Sequence, residues 1–558
     1  MEHAEPCNPL AAWLTTTLAG ALVLLALLAP DEFGRFTPAA FISIPLDGLI
    51  GVTLLLLLPA RARPVAATLF GVALGLLVLL KLLDAGLFAL LDRPFDPAAD
   101  WKLLDDAMRF LAGAIGPAAA IGCLAAAVVV TTALVTLITQ SVQRLSRLMA
   151  RHDGTAARAV VALAALWLPC AALGTQLVPG VPVAAEGSVG YLKHRHRSGG
   201  PPPLNPHAVP TNADVDAFGN LPGKDLLSGL RGKDVVIAFV ESYGRDAVEN
   251  PEFASQVGAV LDAGDRRLSA AGFASRSAFL TSPTAGGGSW LAHATLLSGQ
   301  WIDNQQRYDN LPSDHRMTLT AAFRRAGWRT VGVMPGNDFA WPESQSLGYD
   351  QIYDAKDMGY KGPRFSWASM PDQYTLARFE RTEHQAQDRK PVMAEITLVS
   401  SHAPWEPIPR LVDWRDVGDG SVFNSMSAAN DPPEAILTRI PIRVRADYRA
   451  SIEYSLSSLI SYVETYGDEN LVLIFLGDHQ PSPIVTGHGA SRDVPISIVT
   501  RDKSVVDRIS RWGWQAGLRP NAQAPVWPMD AFRDRFLSAF GRQTKPVNDP
   551  QRAGIRVR

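Results

Sequence analysis

The chain has few cysteines, few charged residues and almost no net charge. Its three cysteines, Cys7, Cys123 and Cys170, exclude a disulfide-rich scaffold and a cysteine-based zinc site. Lysine and arginine number 52 against 54 aspartates and glutamates, a net charge of −2, so no basic surplus indicates a nucleic-acid partner. Charged residues make up 19% and apolar residues 47%. That charged fraction is below the roughly 25% of an average soluble domain, so an apolar surplus must be concentrated somewhere.

The apolar surplus lies in the first third of the chain. Five long apolar runs occupy residues 10–29, 41–60, 64–91, 110–138 and 158–179. Each run is close to or above the roughly 20 residues that cross a bilayer as a helix. The runs carry few charges, which argues against buried core helices of a soluble protein. The sequence therefore predicts a domain of five transmembrane helices over residues 1–180.

The charges of the short loops predict an orientation. Arginines follow the second and the fourth run, at Arg61, Arg63, Arg144, Arg147, Arg151 and Arg158, whereas the other two loops carry more acidic residues. The positive-inside rule therefore places the two basic loops and the amino terminus in the cytoplasm. Five crossings then leave everything after the last helix outside. We expect a multi-pass protein of the cell (inner) membrane whose C-terminal part is extracytoplasmic, in the periplasm.

The character of the sequence changes after the last apolar run. Residues 181–232 are predicted to be a linker, because the segment 198–214 is rich in proline and glycine and has no apolar period. From 233 to 545, short apolar runs alternate with helical stretches. These runs are predicted strands at 234–240, 330–335, 393–400, 471–477 and 494–500. Near-continuous apolar strands are typical of a mostly parallel sheet between helices, so the second part is an α/β domain.

Four residues with ligand-type side chains follow three of these strands. Glu241 comes after the first, His402 after the third, and Asp478 and His479 after the fourth. Ligands bind at the carboxyl ends of strands in open α/β sheets, so these side chains are expected at one edge. Each residue alone is ordinary loop chemistry. Together, carboxylates and imidazoles suit a divalent cation such as Mn or Zn, with Mg and Ca as alternatives.

A candidate nucleophile precedes a helical stretch. Three glycines come before Ser289, and the run SWLAHATLLSG follows. Ser289 is therefore expected near a helix amino terminus, where free N–H groups favour a phosphoryl group or an alkoxide. A bound metal would lower the pKa of the hydroxyl further. The alternative is that Ser289 only caps the helix.

Four stretches together resemble a known superfamily. They are, in order, VVIAFVESYG, GGGSWLAHATLLSG, SSHAPW and VLIFLGDHQPSP. They resemble the alkaline phosphatase superfamily, and more closely its sulfatase-like branch of membrane-anchored lipoteichoic acid synthases and phosphoglycerol transferases. The resemblance extends over about 233–500. It implies a metal, with Mn favoured, held by Glu241, Ser289, Asp478 and His479.

The resemblance also implies a catalytic and a substrate-binding set. Ser289 would take the phosphoryl group as a covalent intermediate. The family nucleophile is usually threonine, so Thr284 is an alternative. His402 would contact the substrate or assist the leaving group. Further substrate contacts, each with an equally ordinary structural reading, are predicted at His293, Asn337, Asp338, Trp341 and His488.

One departure from the sulfatase pattern narrows the reaction. Formylglycine-forming sulfatases carry a Cys/Ser-x-Pro-x-Arg motif, whereas Ser289 is followed by Trp290, Leu291, Ala292 and His293. We therefore expect an enzyme that moves a phosphoalcohol headgroup, such as glycerol phosphate from the membrane phospholipid phosphatidylglycerol, to an envelope glycan or polymer. Alternatives are a sulfatase-like phosphodiesterase, phosphatase or sulfatase, a non-catalytic envelope binding protein and, with few intramembrane charges to support it, a transporter.

Overall fold

The structure is a computed structural model with two compact units, Met1–Val209 and Pro210–Arg558. The residues it describes are 9–97, 100, 104, 107–108, 111–112, 116–178, 181–198, 216–311, 316–337, 341, 344–365, 368–426 and 441–542.

The N-terminal unit is helical. Its helices are α1 Pro9–Leu28, α2 Leu46–Leu57, α3 Arg63–Leu91, α4 Pro117–Arg151, α5 Asp153–Leu173 and α6 Gly187–Ser198. Two small pairs of strands accompany them, with β1 Ile44–Pro45 on β4 Ala184–Ala185 and β2 Gln176–Val178 on β3 Val181–Pro182. Among the described residues, four helices (α1, α3, α4 and α5) are long and apolar enough to cross a membrane.

The expected count of five full-length spans is therefore wrong. The second apolar run, 41–60, forms α2, which has only 12 residues. At about 1.5 Å per residue it is roughly 18 Å long, well short of a hydrocarbon core of about 30 Å. Pro45 precedes the helix and Pro59 follows its last turn, and a proline disfavours helical geometry in the residue before it. The apolar run continues through both prolines, whereas the helix lies between them.

Helix α2 still runs between the two ends of the helical unit. At one end, Arg63 at the start of α3 pairs with Asp153 at the start of α5, with 3.1 Å between Nη1 and Oδ1. Arg144 near the end of α4 reaches the early part of α1, donating to the Ala12 carbonyl at 2.9 Å. At the other end, Ile44 pairs with Ala184. The chain therefore enters α1 at the basic end and leaves α5 at the opposite end.

Part of the segment predicted to be a linker belongs to the N-terminal unit. Helix α6 begins on the carboxylate of Asp47, which accepts hydrogen bonds from the Ser188 and Val189 backbone N–H groups. Farther along α6, Tyr191 and Arg195 both donate to the buried carboxylate of Asp84. Residues 199–215 lie outside the described residues.

The second unit is built on a nine-stranded sheet. Its strands are β5 Asp234–Val240, β6 Ala274–Thr281, β7 Arg329–Met334, β8 Gln351–Asp354, β9 Val392–Leu398, β10 Leu471–Gly477, β11 Asp493–Thr500, β12 Gln515–Ala516 and β13 Val526–Pro528. The strand order is β12-β6-β11-β10-β5-β9-β7-β8, and β13 pairs with β6. All five predicted strands are present.

The strands that carry the candidate site are parallel. Strand β5 pairs in parallel with β10 on one side and β9 on the other, and β7 and β8 continue this direction. Strand β11 is antiparallel to both β10 and β6. The prediction of a mostly parallel sheet is confirmed. The carboxyl ends of β5, β9 and β10 therefore meet at one edge.

Helices and short helical turns surround this sheet. They are α7 Asp246–Glu249, α8 Ala254–Ala270, α9 Ser289–Ser298, α10 Gln305–Asp309, α11 Leu319–Ala326, α12 Ser344–Leu347, α13 Asp372–Phe379, α14 Pro441–Tyr466, α15 Pro483–Thr486, α16 Lys503–Arg508 and α17 Ala531–Phe540. Two hydrophobic clusters cover the sheet, because alternate residues of each central strand point to opposite faces. Helix α9 packs into the cluster that contains Phe239, Met393 and Leu476.

Candidate active site

Three of the predicted ligand residues meet at the carboxyl edge of the sheet. Glu241, Asp478 and His479 each offer a ligand atom within 4.8 Å of the others. All three side chains are buried. His479 Nε2 lies 3.4 Å from Glu241 Oε1 and 3.7 Å from Asp478 Oδ2. Strands β5 and β10 are adjacent and in register, so the residues that follow them come together.

Ser289 joins this group from the first position of α9. Its hydroxyl donates to Glu241 Oε2 at 3.1 Å and lies 3.2 Å from His479 Nε2. The residue before it, Gly288, has φ +78°, a conformation that favours glycine and starts the helix abruptly. Ser289 is half-buried. Its oxygen therefore reaches the buried ligand atoms at the amino terminus of a helix.

Backbone groups fix the carboxylate of Asp478. Its Oδ1 accepts the N–H of Ser242 at 2.8 Å and its own neighbour's N–H, that of His479, at 2.7 Å. Ser242 also donates its hydroxyl to Glu241 Oε1 at 2.9 Å and is held at φ +57°. A Cβ on Gly477 would lie 1.8 Å from the Tyr243 carbonyl oxygen, so only glycine lets these two strand ends approach. Ser242 is a residue that the sequence analysis missed.

The tautomer of His479 suits a ligand role. Its Nδ1 lies 2.8 Å from the carbonyl oxygen of Gln480, so Nδ1 carries the proton in this contact. Nε2 then presents a lone pair to the cluster.

The two carboxylates of the cluster are buried close together, and this shifts the pKa values of the groups around them. Burial, followed by the nearby carboxylate of Glu241, raises the pKa of Asp478. Burial works against the Glu241 carboxylate too, but the imidazoles of His402 and His479 outweigh it and lower its pKa. Burial also disfavours a charged His479, yet Asp478 and Glu241 together raise its pKa. A cation between these groups would relieve the repulsion between the carboxylates.

The residues present fit a divalent metal. Asp478 Oδ2 is buried and has no hydrogen-bond partner within the described part of the chain. A buried carboxylate oxygen left unpaired is costly, and a metal ion would satisfy it. Two carboxylates, one imidazole nitrogen and one hydroxyl are a donor set that Mn or Zn accepts. The donor types leave the identity of the metal open.

The structure separates the two candidate nucleophiles. Thr284 Oγ1 donates to the carbonyl of Gly287 at 2.6 Å, so its hydroxyl closes the turn before α9. Ser289 is the hydroxyl that contacts the ligand residues. His402 lies half-buried after β9, and its imidazole contributes to lowering the pKa of Glu241.

The other predicted substrate contacts differ in their surroundings. Asn337 follows β7, and its carbonyl accepts the N–H of Ala355 at 2.8 Å. Trp341 donates its indole N–H to Tyr308 at 2.6 Å and lies against a hydrophobic cluster. His488 is exposed on a turn after α15. Asp338 lies outside the described residues.

His293 lies one helical turn after Ser289 and contacts Glu395, which Tyr349 contacts in turn; the sequence analysis missed both of these residues. Its Nδ1 is 2.7 Å from Glu395 Oε1, and Tyr349 donates to Glu395 Oε2. Glu395 is fully buried in the middle of β9. A charged residue inside an apolar strand was a signal for Glu395, whereas nothing in the sequence distinguished Tyr349.

Comparison with known proteins agrees with this geometry. The Sulfatase family model matches residues 234–495. The matched part of the chain is therefore sulfatase-like, which confirms the sulfatase-like resemblance read from the sequence. No curated protein sequence matches the chain significantly.

Several solved structures are similar to this chain at low identity. The lipoteichoic acid synthase LtaP from Listeria monocytogenes is 14% identical, with 56% of this chain and 73% of that chain covered and a TM-score of 0.37. The phosphoglycerol transferase GacH from Streptococcus pyogenes is 12% identical, with coverages of 58% and 79% and a TM-score of 0.37. The lipooligosaccharide phosphoethanolamine transferase EptA from Neisseria meningitidis is 12% identical, with coverages of 96% and 95% and a TM-score of 0.43.

Proposed function

We propose that this protein is a metal-dependent phosphotransferase that moves a phosphoalcohol headgroup from a membrane phospholipid to an envelope glycan or polymer. The observation that carries the proposal is the position of the Ser289 hydroxyl, 3.1 Å from Glu241 Oε2 and 3.2 Å from His479 Nε2. A serine that only capped its helix would bond to backbone N–H groups of the first turn. Ser289 instead faces a buried group of ligand atoms.

The residues divide the work of the reaction. Glu241, Asp478, His479 and Ser289 would hold the metal, which supplies a positive charge that favours the serine alkoxide and the phosphoryl oxygens. Ser289 Oγ attacks phosphorus while the bond to the diacylglycerol oxygen breaks. The serine proton, now directed at Glu241 Oε2, leaves to solvent. His402 gives a proton to the departing oxygen.

The second step reverses the first with a new alcohol. The acceptor hydroxyl gives its proton to His402 and attacks phosphorus, and the bond to Ser289 Oγ breaks. Ser289 takes back a proton from solvent, so the enzyme returns to its starting state. Water in place of the acceptor would give hydrolysis. Asn337, Asp338, Trp341 and His488 remain proposed contacts for the headgroup.

We also propose that the catalytic domain faces the periplasm. The chain enters α1 at the basic end of the helical unit and leaves α5 at the opposite end. The positive-inside rule places the basic end in the cytoplasm. A single cysteine introduced at exposed Leu221 of a cysteine-free variant should react with an impermeant maleimide in spheroplasts; protection until lysis would contradict this orientation.

The test of the function is a lipid turnover assay with two matched variants. The full chain in detergent micelles is given Mn²⁺ and fluorescent phosphatidylglycerol or phosphatidylethanolamine, and diacylglycerol release is measured. Ser289→Ala should lower turnover by at least about 10³-fold, because it removes the attacking oxygen. Thr284→Val, which loses only a turn-closing hydrogen bond, should keep most of the activity.

The products distinguish the alternatives. Mass spectrometry should find the headgroup phosphate attached to Ser289 in wild type and absent from Ser289→Ala. Free headgroup phosphate without transfer to an added glycan would make the protein a phosphodiesterase. Cleavage of an aryl sulfate without lipid turnover, or equal turnover by Ser289→Ala, would contradict the proposal.

A further inference from the structure

A buried chain of three side chains leads from the interior of the sulfatase-like domain toward the proposed metal centre. It starts at Tyr349, whose hydroxyl donates to Glu395, and continues to His293, whose Nδ1 lies 2.7 Å from the same carboxylate. Glu395 is fully buried on β9, between Ile237 of β5 and Gly332 of β7. Burying a carboxylate costs free energy unless it is hydrogen-bonded, and these two contacts satisfy it.

All the groups concerned lie on one face of the sheet. Phe239, Met393 and Leu476 belong to the same hydrophobic cluster. Glu241, Glu395 and Asp478 each come two residues later in their own segments, so they continue that face. Helix α9, which carries Ser289 and His293, packs against the same cluster through Ala292 and Leu296.

The orientation of the His293 ring points its second nitrogen away from Glu395. The ring stacks on the side-chain ring of Phe239 in β5, with centroids 3.8 Å apart and planes 13° apart. Its Nδ1 faces β9 on one side of β5. Because the two nitrogens of an imidazole point to opposite sides of the ring, Nε2 points away from Glu395 and β9, and the neighbour of β5 on its other side is β10, which Asp478 follows.

Two buried polar atoms on this side are unsatisfied. His293 Nε2 and Asp478 Oδ2 both lack a hydrogen-bond partner among the residues that the structure describes. His293 is 8% exposed and Asp478 is fully buried. The imidazole of His293 also lowers the pKa of Asp478, after the larger effects of burial, Glu241 and His479. Two buried atoms without partners, on residues that belong to the same face of the sheet, can be satisfied together by one shared water molecule.

We propose that His293 is a positioning residue of the metal centre. Tyr349 and Glu395 orient its ring: Nδ1 donates to Glu395, so Nε2 carries a lone pair, and one water molecule would donate to both Nε2 and Asp478 Oδ2. Metal-binding groups are commonly oriented in this way by hydrogen bonds from residues behind them, and loss of such a residue typically weakens metal binding by about 10–100-fold. The inference rests on the proposed function, because it requires Asp478 to be a metal ligand.

The experiment compares two substitutions that keep different halves of the imidazole. His293→Gln keeps an amide near the position of Nε2, whereas His293→Asn keeps one near Nδ1. Mn²⁺ affinity is measured by titrating the full chain in detergent micelles without substrate and following free Mn²⁺ by electron paramagnetic resonance. His293→Asn should bind Mn²⁺ about 10–100-fold more weakly, and His293→Gln should keep most of the affinity. Glu395→Gln should weaken binding in the same direction by a smaller factor.

Thr295→Val is the control for damage to the helix. Thr295 is fully buried on α9, and its hydroxyl accepts the N–H of Ile302 at 3.0 Å. This hydrogen bond does not involve the candidate metal ligands. This variant should lower the thermal transition while keeping wild-type Mn²⁺ affinity. Equal affinity in His293→Asn, His293→Gln and wild type would overturn the role of His293. If wild type itself bound no Mn²⁺, the metal centre of the proposed function would fail, and the inference with it.

Discussion

The two edges of the central sheet carry buried charges in opposite ways. At the amino edge, Asp234 at the start of β5 accepts two hydrogen bonds from Arg389, at 2.7 and 2.6 Å, and one from the Val392 N–H. Nearby, Arg329 at the start of β7 makes a two-point contact with Glu383, at 2.7 Å for each bond. The carboxylates at this edge are therefore neutralised by guanidinium groups of the chain itself.

At the carboxyl edge, Glu241 and Asp478 instead face imidazoles, a serine hydroxyl and each other. One oxygen of Asp478 has no hydrogen-bond partner within the described ranges. Both edges bury acidic groups, so burial alone does not identify a functional site. The difference is that the charges at the amino edge are balanced by guanidinium groups of the protein, whereas those at the carboxyl edge would be balanced by a bound cation under the proposed function. That difference supports the assignment of the metal site.

The largest expected effect comes from breaking a pair at the amino edge. Asp234→Asn leaves the guanidinium of Arg389 without its buried carboxylate. Removing one partner of a buried ion pair typically costs about 3–5 kcal/mol. Urea unfolding of the full chain in detergent, followed by tryptophan fluorescence, should show this loss. Mn²⁺ affinity should stay at the wild-type value, and a fall in affinity would mean that the two edges are not independent.

A smaller effect on the free energy of unfolding is expected at the amino edge, and it depends on pH. Burial disfavours a charged His384, but Asp234 and Glu380 outweigh it and raise its pKa to about 9 from an ordinary 6.5. A raised pKa means that the folded state holds the proton more tightly. The stabilisation is therefore complete below about pH 6.5 and is lost as the pH rises through about 9, by at most about 3 kcal/mol.

The measurement is the free energy of unfolding between pH 6 and pH 10 for wild type and His384→Gln. Wild type should lose stability across this window more steeply than the variant, since the variant has no imidazole to titrate. Parallel curves would show that His384 does not carry a raised pKa.

Much of the sulfatase-like domain was predictable because the signal is local. Each central strand is a short apolar run, and the candidate ligand residues Glu241, Asp478 and His479 follow directly after two of them. Parallel neighbours bring such positions to one edge without further information. The position of Ser289 at the start of a helix was predictable because glycines precede it and a helical run follows it.

The remaining features depend on contacts that the sequence does not show. The length of α2 was missed because hydropathy continues through Pro45 and Pro59. The partnership of His293 with Glu395 joins residues 102 positions apart, and its geometry depends on how α9 packs on the sheet. Trp341 was predicted as a headgroup contact on residue type alone, and the hydrogen bond from its indole to Tyr308 is a contact that the sequence does not show.

The proposed difference between the two edges of the sheet is tested most directly by Asp478→Asn. This substitution at the carboxyl edge is the counterpart of Asp234→Asn at the amino edge. In the presence of a chelator, this substitution removes a buried charge that repels Glu241, while the amide oxygen can still accept the N–H groups of Ser242 and His479. We predict that it stabilises the metal-free chain by about 1–2 kcal/mol and abolishes the rise in thermal transition that Mn²⁺ gives wild type. A metal-free variant less stable than wild type, or one that Mn²⁺ stabilises as much as wild type, would contradict the claim that this edge is built to hold a cation.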